Sequence, residues 1–282
     1  MYLINLLYVN NTNIPAWVMC LIAVCISVSF CLIGLFVFKK LLTHSFNKAN
    51  NDCISLSLGT VGLFSSVLIS LIVINTWNSY NDTDTIVNAE ARKVEDFYHL
   101  SQGMPEPIKS QLASDISEYI EVVTKEEWPA MVANEAIPDK ARLIIIRSRE
   151  RLLHYKTNDL VIANTESKLL DRISELFDAR RDRTLATKNH VPPVIWAVMF
   201  LSGFLTIAIS YLYTAESFAM HLVSTGFISA SLAATLFLIV IFGHPFQGRL
   251  RIEPTEMINF ASQNLPHAID FTTQGVTYKP NK

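Results

Sequence analysis

Four tracts of this 282-residue chain contain no Asp, Glu, Lys or Arg: Pro15–Phe38, Ile54–Trp77, Val194–Tyr213 and Leu222–Gly243. Crossing about 30 Å of hydrocarbon takes roughly 20 helical residues, and each tract is long enough. No proline lies inside them beyond the first position. Hydrocarbon offers no water to an open backbone N–H or C=O, so runs of this kind read as transmembrane helices. The 23 basic and 25 acidic side chains are confined to the rest of the chain. Over the whole length only 17% of residues are charged, against about a quarter in soluble domains. This excludes a soluble globular enzyme, a disordered chain and a secreted disulfide scaffold. The expected fold class is an all-α integral membrane protein with four transmembrane helices and a helical extramembrane domain between spans 2 and 3.

The implied organisation is a membrane pair within 1–77, a water-facing domain over 78–193, a second membrane pair within 194–243 and a tail over 244–282. Met1–Val9 is apolar but too short to span, and suits the interface or an extension of the first helix. No Lys or Arg precedes Lys39, and the first apolar run is longer than a cleaved signal requires. Cys20, Cys25, Cys31 and Cys53 lie in or beside the first two spans without a Cys-x-x-Cys spacing. Buried thiols in helices behave as small apolar residues, and these read as packing. Basic residues near spans favour the cytoplasm. Arg180, Arg181, Arg183, Lys188, Arg249 and Arg251 outnumber Lys39, Lys40 and Lys48, placing both termini and the 78–193 domain on the cytoplasmic side.

The 78–193 segment carries 16 basic and 20 acidic residues, with no glycine-rich loop and no repeat. Ile108, Leu112, Ile116, Tyr119 and Val123 fall on one face of a helix starting near Pro105–Pro107. Leu170, Ile173, Leu176 and Phe177 mark another, running towards Arg183. Between them Ala141–Tyr155 reads as helical, with a charged patch at Arg147–Arg151. Nothing breaks the chain between Trp77 and Phe97, so span 2 is expected to continue as a long helix into the domain.

No catalytic or metal chemistry stands out. The seven histidines are dispersed, and no His-x-x-x-His pair, phosphate loop, dinucleotide fingerprint or Gly-x-Ser-x-Gly elbow occurs. No enzyme, cofactor or metal is expected. The domain is mildly acidic, which disfavours nucleic acid. Spans free of charge argue against a proton-coupled carrier but are compatible with a passive pore, which apolar residues can gate by dewetting. In span 2, Ser55, Gly59, Gly62, Ser66 and Ser70 fall within an arc of roughly 80° at about 100° per residue. Two readings stand: close helix packing, which small residues permit, or a wall of a narrow pore. Both hold if the stripe packs within the subunit while Phe64, Leu68 and Leu71 face an axis.

An ordered set of short motifs carries a resemblance. Glu90-Ala91 follows span 2. Glu127-Trp128-Pro129-Ala130-Met131 follows an amphipathic helix. Arg180-Arg181-x-Arg183 precedes span 3, and His244-Pro245-Phe246-Gln247-Gly248 closes span 4. From about Lys39 to Pro254 the chain resembles the bestrophin-like family of four-span, mainly bacterial membrane proteins of unknown function. Bestrophins proper are pentameric anion channels, some bacterial relatives passing cations, with an apolar neck on the second membrane helix and a helical cytosolic vestibule. The resemblance implies a homo-oligomeric passive ion channel in a bacterial inner membrane, lined by span 2. Its partners would be the lipid bilayer, further copies of itself and inorganic ions. A non-conducting scaffold or sensor whose helical domain binds a protein is the alternative. The chain departs from the pattern in lacking an acidic cluster like the calcium clasp of animal bestrophins. It also carries Gly243-His244 where the family often has Asp-Arg.

Each motif has two readings. Glu127, Trp128 and Pro129 either end a helix, with Trp128 anchored in the core, or place Glu127 on a vestibule wall. Arg180, Arg181 and Arg183 are headgroup contacts and orientation signals, or attract anions at a pore entrance. Pro245, Phe246 and Gly248 form a helix stop with an interfacial aromatic anchor, or a turn that docks on the domain and transmits gating.

Overall fold

A computed structural model describes residues 14–42, 50–188, 191–214 and 217–265. The interfacial reading of Met1–Val9 lies outside them, as do Lys48, His44, His190 and His267. Among the described residues the regular structure is helical, with no strand. In chain order the helices are α1 (Ala16–Leu42), α2 (Asn51–Ser101), α3 (Ile108–Val122), α4 (Trp128–Ala133), α5 (Lys140–Leu153), α6 (Leu160–Ala186), α7 (Pro193–Leu212), α8 (Phe218–Phe242) and α9 (Thr255–Asn264). The four uncharged tracts lie on α1, α2, α7 and α8, each long and apolar enough to cross a membrane. The protein is therefore an all-α integral membrane protein with four membrane-crossing helices. α2 is a single helix of 51 residues, as expected where neither Gly nor Pro interrupts the chain from Trp77 onward. It ends at Gln102-Gly103, ahead of Pro105 and Pro107.

The chain divides into two compact units, Met1–Asp82 with Asn189–Arg251, and Thr83–Lys188 with Ile252–Lys282. In the first, the spans alternate in direction. Met19 near the start of α1 packs on Ile241 at the end of α8, and Lys39 at the other end of α1 lies over the Phe218 ring. α2 begins where α7 ends: the Asn51 amide donates to the Thr214 carbonyl (2.8 Å) and accepts from the Thr214 N–H (3.1 Å). Ile69, Met199 and Ile239 form the apolar contact of α2, α7 and α8. Trp77, Tyr80 and Phe242 stack edge to face at the end of that layer.

Lipid tails are as apolar as leucine, so small residues and hydroxyls distinguish one helix neighbour from another. Ser27 and Ser229 join α1 to α8 at 3.2 Å. Tyr211 donates to the Cys31 carbonyl at 2.5 Å, which the absence of a side chain at Gly34 permits. A Cβ there would lie 2.8 Å from the Tyr211 hydroxyl. Cys31 is buried, in keeping with a packing role, whereas Cys25 and Cys53 are exposed on the chain.

In the second unit α3 buries Ile108, Leu112, Ile116 and Tyr119, the face its periodicity predicts. On α6 the expected Ile173 and Leu176 are buried, and the centre of the face runs through Leu169 rather than Leu170, with Arg180, Arg183 and Ala186 continuing the stripe. Leu170 and Phe177 sit at its edge. On α5, Ala141, Ile144, Ile145, Ser148 and Leu152 are buried, while Leu143 and Leu153 are exposed. Arg147 and Arg151 of the charged patch both reach the buried carboxylate of Asp115, which also accepts from the Ser148 hydroxyl. Part of the segment read as a tail is folded here. α9 buries Met257, Phe260 and Ala261, the Tyr98 and Phe260 rings meet edge to face, and Ile252 accepts from the Trp128 indole at 3.3 Å.

Substituting Gly34→Ala is expected to cost about 1–3 kcal/mol by overpacking against Tyr211. Thermal unfolding in detergent should show a smaller cost in a Tyr211→Phe background, because that ring no longer has to hold its bond to Cys31. Equal costs in the two backgrounds would mean the contact is not what excludes a side chain.

Candidate functional site

Two features concentrate the motif residues: a buried ion-pair cluster in the second unit and the outer face of α2 in the first. The cluster begins with Pro129. Proline lacks an N–H, and its ring clashes with the carbonyl four residues back, so an α-helix cannot run through it unaltered. The chain responds with a π-helical turn over Val123–Glu127, in which the Trp128 N–H reaches back to the Val123 carbonyl. Such a turn accommodates an extra residue in the helix. Glu127 is buried here while its neighbour Glu126 faces solvent and pairs with Lys140.

Inside, Glu127 receives Arg180 Nε at 3.0 Å and Arg183 Nη2 at 2.6 Å. Arg183 also grips Glu90 of α2 with Nε and with Nη2 (3.1 Å). Tyr119 donates to the same Glu90 carboxylate at 2.5 Å. Two further contacts are made: Arg180 Nη2 reaches the Pro138 carbonyl at 3.2 Å, and Arg183 Nη1 points at the Met131 sulfur at 3.0 Å. The Arg183 guanidinium lies 5.2 Å from the Trp128 ring centroid, within cation–π range. Glu90, Glu127 and Arg183 have no exposed surface. With two carboxylates and two guanidiniums the cluster is neutral, the condition under which buried charge is tolerable.

The electrostatics follow from that enclosure. Burial, and then the negative charge of Glu90, hold the Tyr119 phenol well above its ordinary range, so it stays a hydrogen-bond donor. Burial alone would lower the Arg183 pKa, but the charge and hydrogen bonds of Glu90, with Tyr119 and Glu127, outweigh it and raise it.

Arg180 and Arg183 are thus neither headgroup contacts nor pore-entrance charges. Both point into the protein, and only Arg181 of the three is exposed. Glu127 is not on a vestibule wall, and Trp128 does anchor in the core. The Pro245-Phe246-Gln247-Gly248 turn follows the end of α8 and is buried, so Phe246 is not an interfacial anchor. Gly248 adopts φ 74°, a left-handed conformation that favours glycine. His244 Nδ1 lies 2.9 Å from the Val240 carbonyl, a local helix-end contact where the family often has a charged pair. Sequence reasoning grouped Glu90 with the motifs but missed its pairing with Arg183. The available signal was the spacing Leu169, Ile173, Leu176, Arg180, Arg183, which continues an apolar heptad through two arginines.

On α2 the buried positions of the span are Ser65, Ile69 and Thr76. The opposite side carries Leu56, Leu63, Val67, Leu71 and Ile74, all exposed and within about 80° of arc at 100° per residue. Of the small residues, Ser55, Gly59, Ser66 and Ser70 are exposed and Gly62 is half-buried. A Cβ added at Gly59 or Gly62 would meet nothing within 4 Å. Among the described residues, therefore, no side chain packs closely against the two glycines of the stripe. Phe64 is exposed, but Leu68 packs against the Ile69, Met199 and Ile239 cluster and is turned from the outer face. Among the described residues no group of three or more His, Cys, Asp or Glu is placed to hold a metal ion.

Four apolar crossing helices, interrupted after the second by a helical unit, define a polytopic membrane protein. The model of the bestrophin-like domain matches residues 25–257. The chain belongs to the bestrophin-like family. A crystal structure of a point variant of a bacterial bestrophin homologue from Klebsiella pneumoniae superposes with a TM-score of 0.52 at 13% identity, covering 87% of this chain and 97% of that one. A crystal structure of a variant described as a membrane protein gives the same TM-score and coverage at 12% identity. At that identity the likeness shows the fold. Among curated proteins none matches the sequence.

Removing one partner of a buried ion pair costs about 3–5 kcal/mol, because the other charge is left unpaired. Arg183→Ala should therefore sharply lower the thermal midpoint of the purified protein. Arg181→Ala, two residues away and exposed, should stay within about 0.5 kcal/mol of the parent. Comparable effects at both positions would contradict the burial of Arg183.

Proposed function

We propose that the protein is a homo-oligomeric passive ion channel whose pore is lined by α2. The observation that carries this reading is the outer face of α2: Leu63, Val67 and Leu71 recur at four-residue spacing and are exposed among the described residues. Repeated around a symmetry axis, such a row makes an apolar constriction of the kind that gates by dewetting. The flank with Ser55, Gly59, Gly62, Ser66 and Ser70 is where a neighbouring copy approaches closely, since small residues let helix backbones come together. Phe64 borders the apolar row on the side away from the small residues, about 20° beyond Leu71 at 100° per residue. Family membership and shared fold support the assignment, and the spans carry no charge that would mark a coupled carrier. The excess of basic residues beside spans 3 and 4 supports an inner-membrane orientation with both termini and the Thr83–Lys188 portion in the cytoplasm.

Purified protein in planar bilayers should show unitary currents. Val67→Ser, which wets the constriction, should raise conductance or open time several-fold. Phe30→Ser, on the exposed side of α1, should leave both unchanged. A strictly monomeric protein that passes no current in bilayers or liposomes would overturn the channel reading and favour a scaffold that binds a protein partner.

A further inference from the structure

The hydroxyls of α2 are not equivalent. Thr60, Ser66 and Thr76 turn back onto carbonyls of their own helix, at Leu56, Leu63 and Ile72. Ser65 reaches across to α7, where it meets two hydroxyls one helical turn apart. Ser202 donates to Ser65 at 2.6 Å, and Ser65 and Thr206 are 3.1 Å apart. Thr206 donates its own proton to the Ser202 carbonyl at 3.0 Å. Each hydroxyl has one proton, so the directions follow: Ser202 gives to Ser65, Ser65 gives to Thr206, and Thr206 gives to the backbone of Ser202. The circuit closes on itself inside the membrane-crossing unit, where Ser65 and Thr206 are both buried.

We propose that Ser65 is the positioning residue of α2, fixing which face of that helix is turned outward. A hydroxyl held from two sides, one turn apart on α7, resists both sliding along α7 and rotation about the α2 axis. The Asn51 pair with Thr214, two residues past the end of α7, supplies a second polar contact 14 residues or about 21 Å away along α2. Two separated polar contacts restrain the rotation of α2 against α7 and the turn that follows it. The apolar contacts around Ile69 and Met199 add attraction without direction. Ser65 lies on the side of α2 opposite Val67, so a helix released from this clamp turns the Leu63, Val67 and Leu71 row away from its set direction. In hydrocarbon no water replaces the lost partners. This inference rests on the channel reading only in treating that row as the functional face.

The test uses the full chain with Cys20, Cys25, Cys31 and Cys53 replaced by alanine, and a nitroxide on a single cysteine introduced as Val67→Cys or Leu68→Cys. With labelled chains diluted in unlabelled parent, the label should be more mobile at 67 than at 68, where it is wedged against α7 and α8. Ser65→Ala should roughly halve that contrast, Ser202→Ala should do the same from the α7 side, and the double variant should add little, since all three break one circuit. Ser65→Thr, which keeps the hydroxyl, should restore it. Unchanged contrast in Ser65→Ala and Ser202→Ala, with only a lowered thermal midpoint, would overturn the proposal. Where Ser65→Ala fails to fold, Ser202→Ala decides, because it leaves α2 untouched. Label mobility does not depend on conduction, so a protein that holds the contrast but passes no current sinks the channel reading and leaves this one standing.

Discussion

Hydrocarbon supplies no hydrogen bonds, and the architecture of the membrane-crossing unit follows from that deprivation. Every backbone polar group in the spans must find its partner within its own helix, which is why the uncharged tracts form rods. The same deprivation makes each side-chain hydroxyl informative. Apolar contacts such as Met19 on Ile241 attract without selecting a rotation. The few polar bridges select one: Ser27 to Ser229, Tyr211 to the Cys31 carbonyl, and the Ser202, Ser65 and Thr206 circuit. Individually such bonds contribute about 0.6 kcal/mol within a membrane. Their weight lies in direction rather than in depth.

The second unit meets a different problem. There water drives apolar burial, and α3, α5 and α6 would pack on Leu, Ile and Ala alone. Yet the stripe of α6 buries two arginines, which α2 and the π-helical turn answer with two glutamates. A neutral buried quartet adds little net stability over well-packed apolar residues, because desolvation consumes most of the attraction. What it adds is intolerance of alternatives. A one-residue slip of α6 would leave buried guanidiniums without carboxylates, a far larger penalty than misplacing a leucine.

The spans were legible because the signal is an absence of charge, which nothing else in a 24-residue tract reproduces. The length of α2 was legible because no Gly or Pro interrupts it after Trp77. The α3 face was legible because its buried positions are apolar. The α6 face was legible only in part: apolar periodicity marks the buried Ile173 and Leu176, but it cannot show that the stripe continues through Arg180 and Arg183. Glu127 was hidden for a related reason. Beside Glu126 at the end of a charged helix it reads as solvated, and only the π-helical turn forced by Pro129 carries it inward. The rotation of α2 was undecidable from sequence, since small residues suit a neighbouring helix and a lumen equally. Among the described residues all but the half-buried Gly62 are exposed.

The convergence of the motifs bears on where function can reside. Glu90, Glu127-Trp128 and Arg180-x-x-Arg183 are separated along the chain but meet around one guanidinium, so together they describe a single buried cluster rather than several sites. A neutral cluster without exposed surface touches neither an ion nor a lipid. Its role is to hold α2, the π-helical turn and α6 in one arrangement. Under the channel proposal the chemistry that meets ions would come from exposed side chains, and on α2 the exposed apolar row is Leu63, Val67 and Leu71. In the proposed channel a pore walled this way would offer no binding site to an ion in transit, and its control would lie in width and wetting. Under the same proposal width would follow from the rotation of α2, which the hydroxyls around Ser65 would set from the opposite side of that helix.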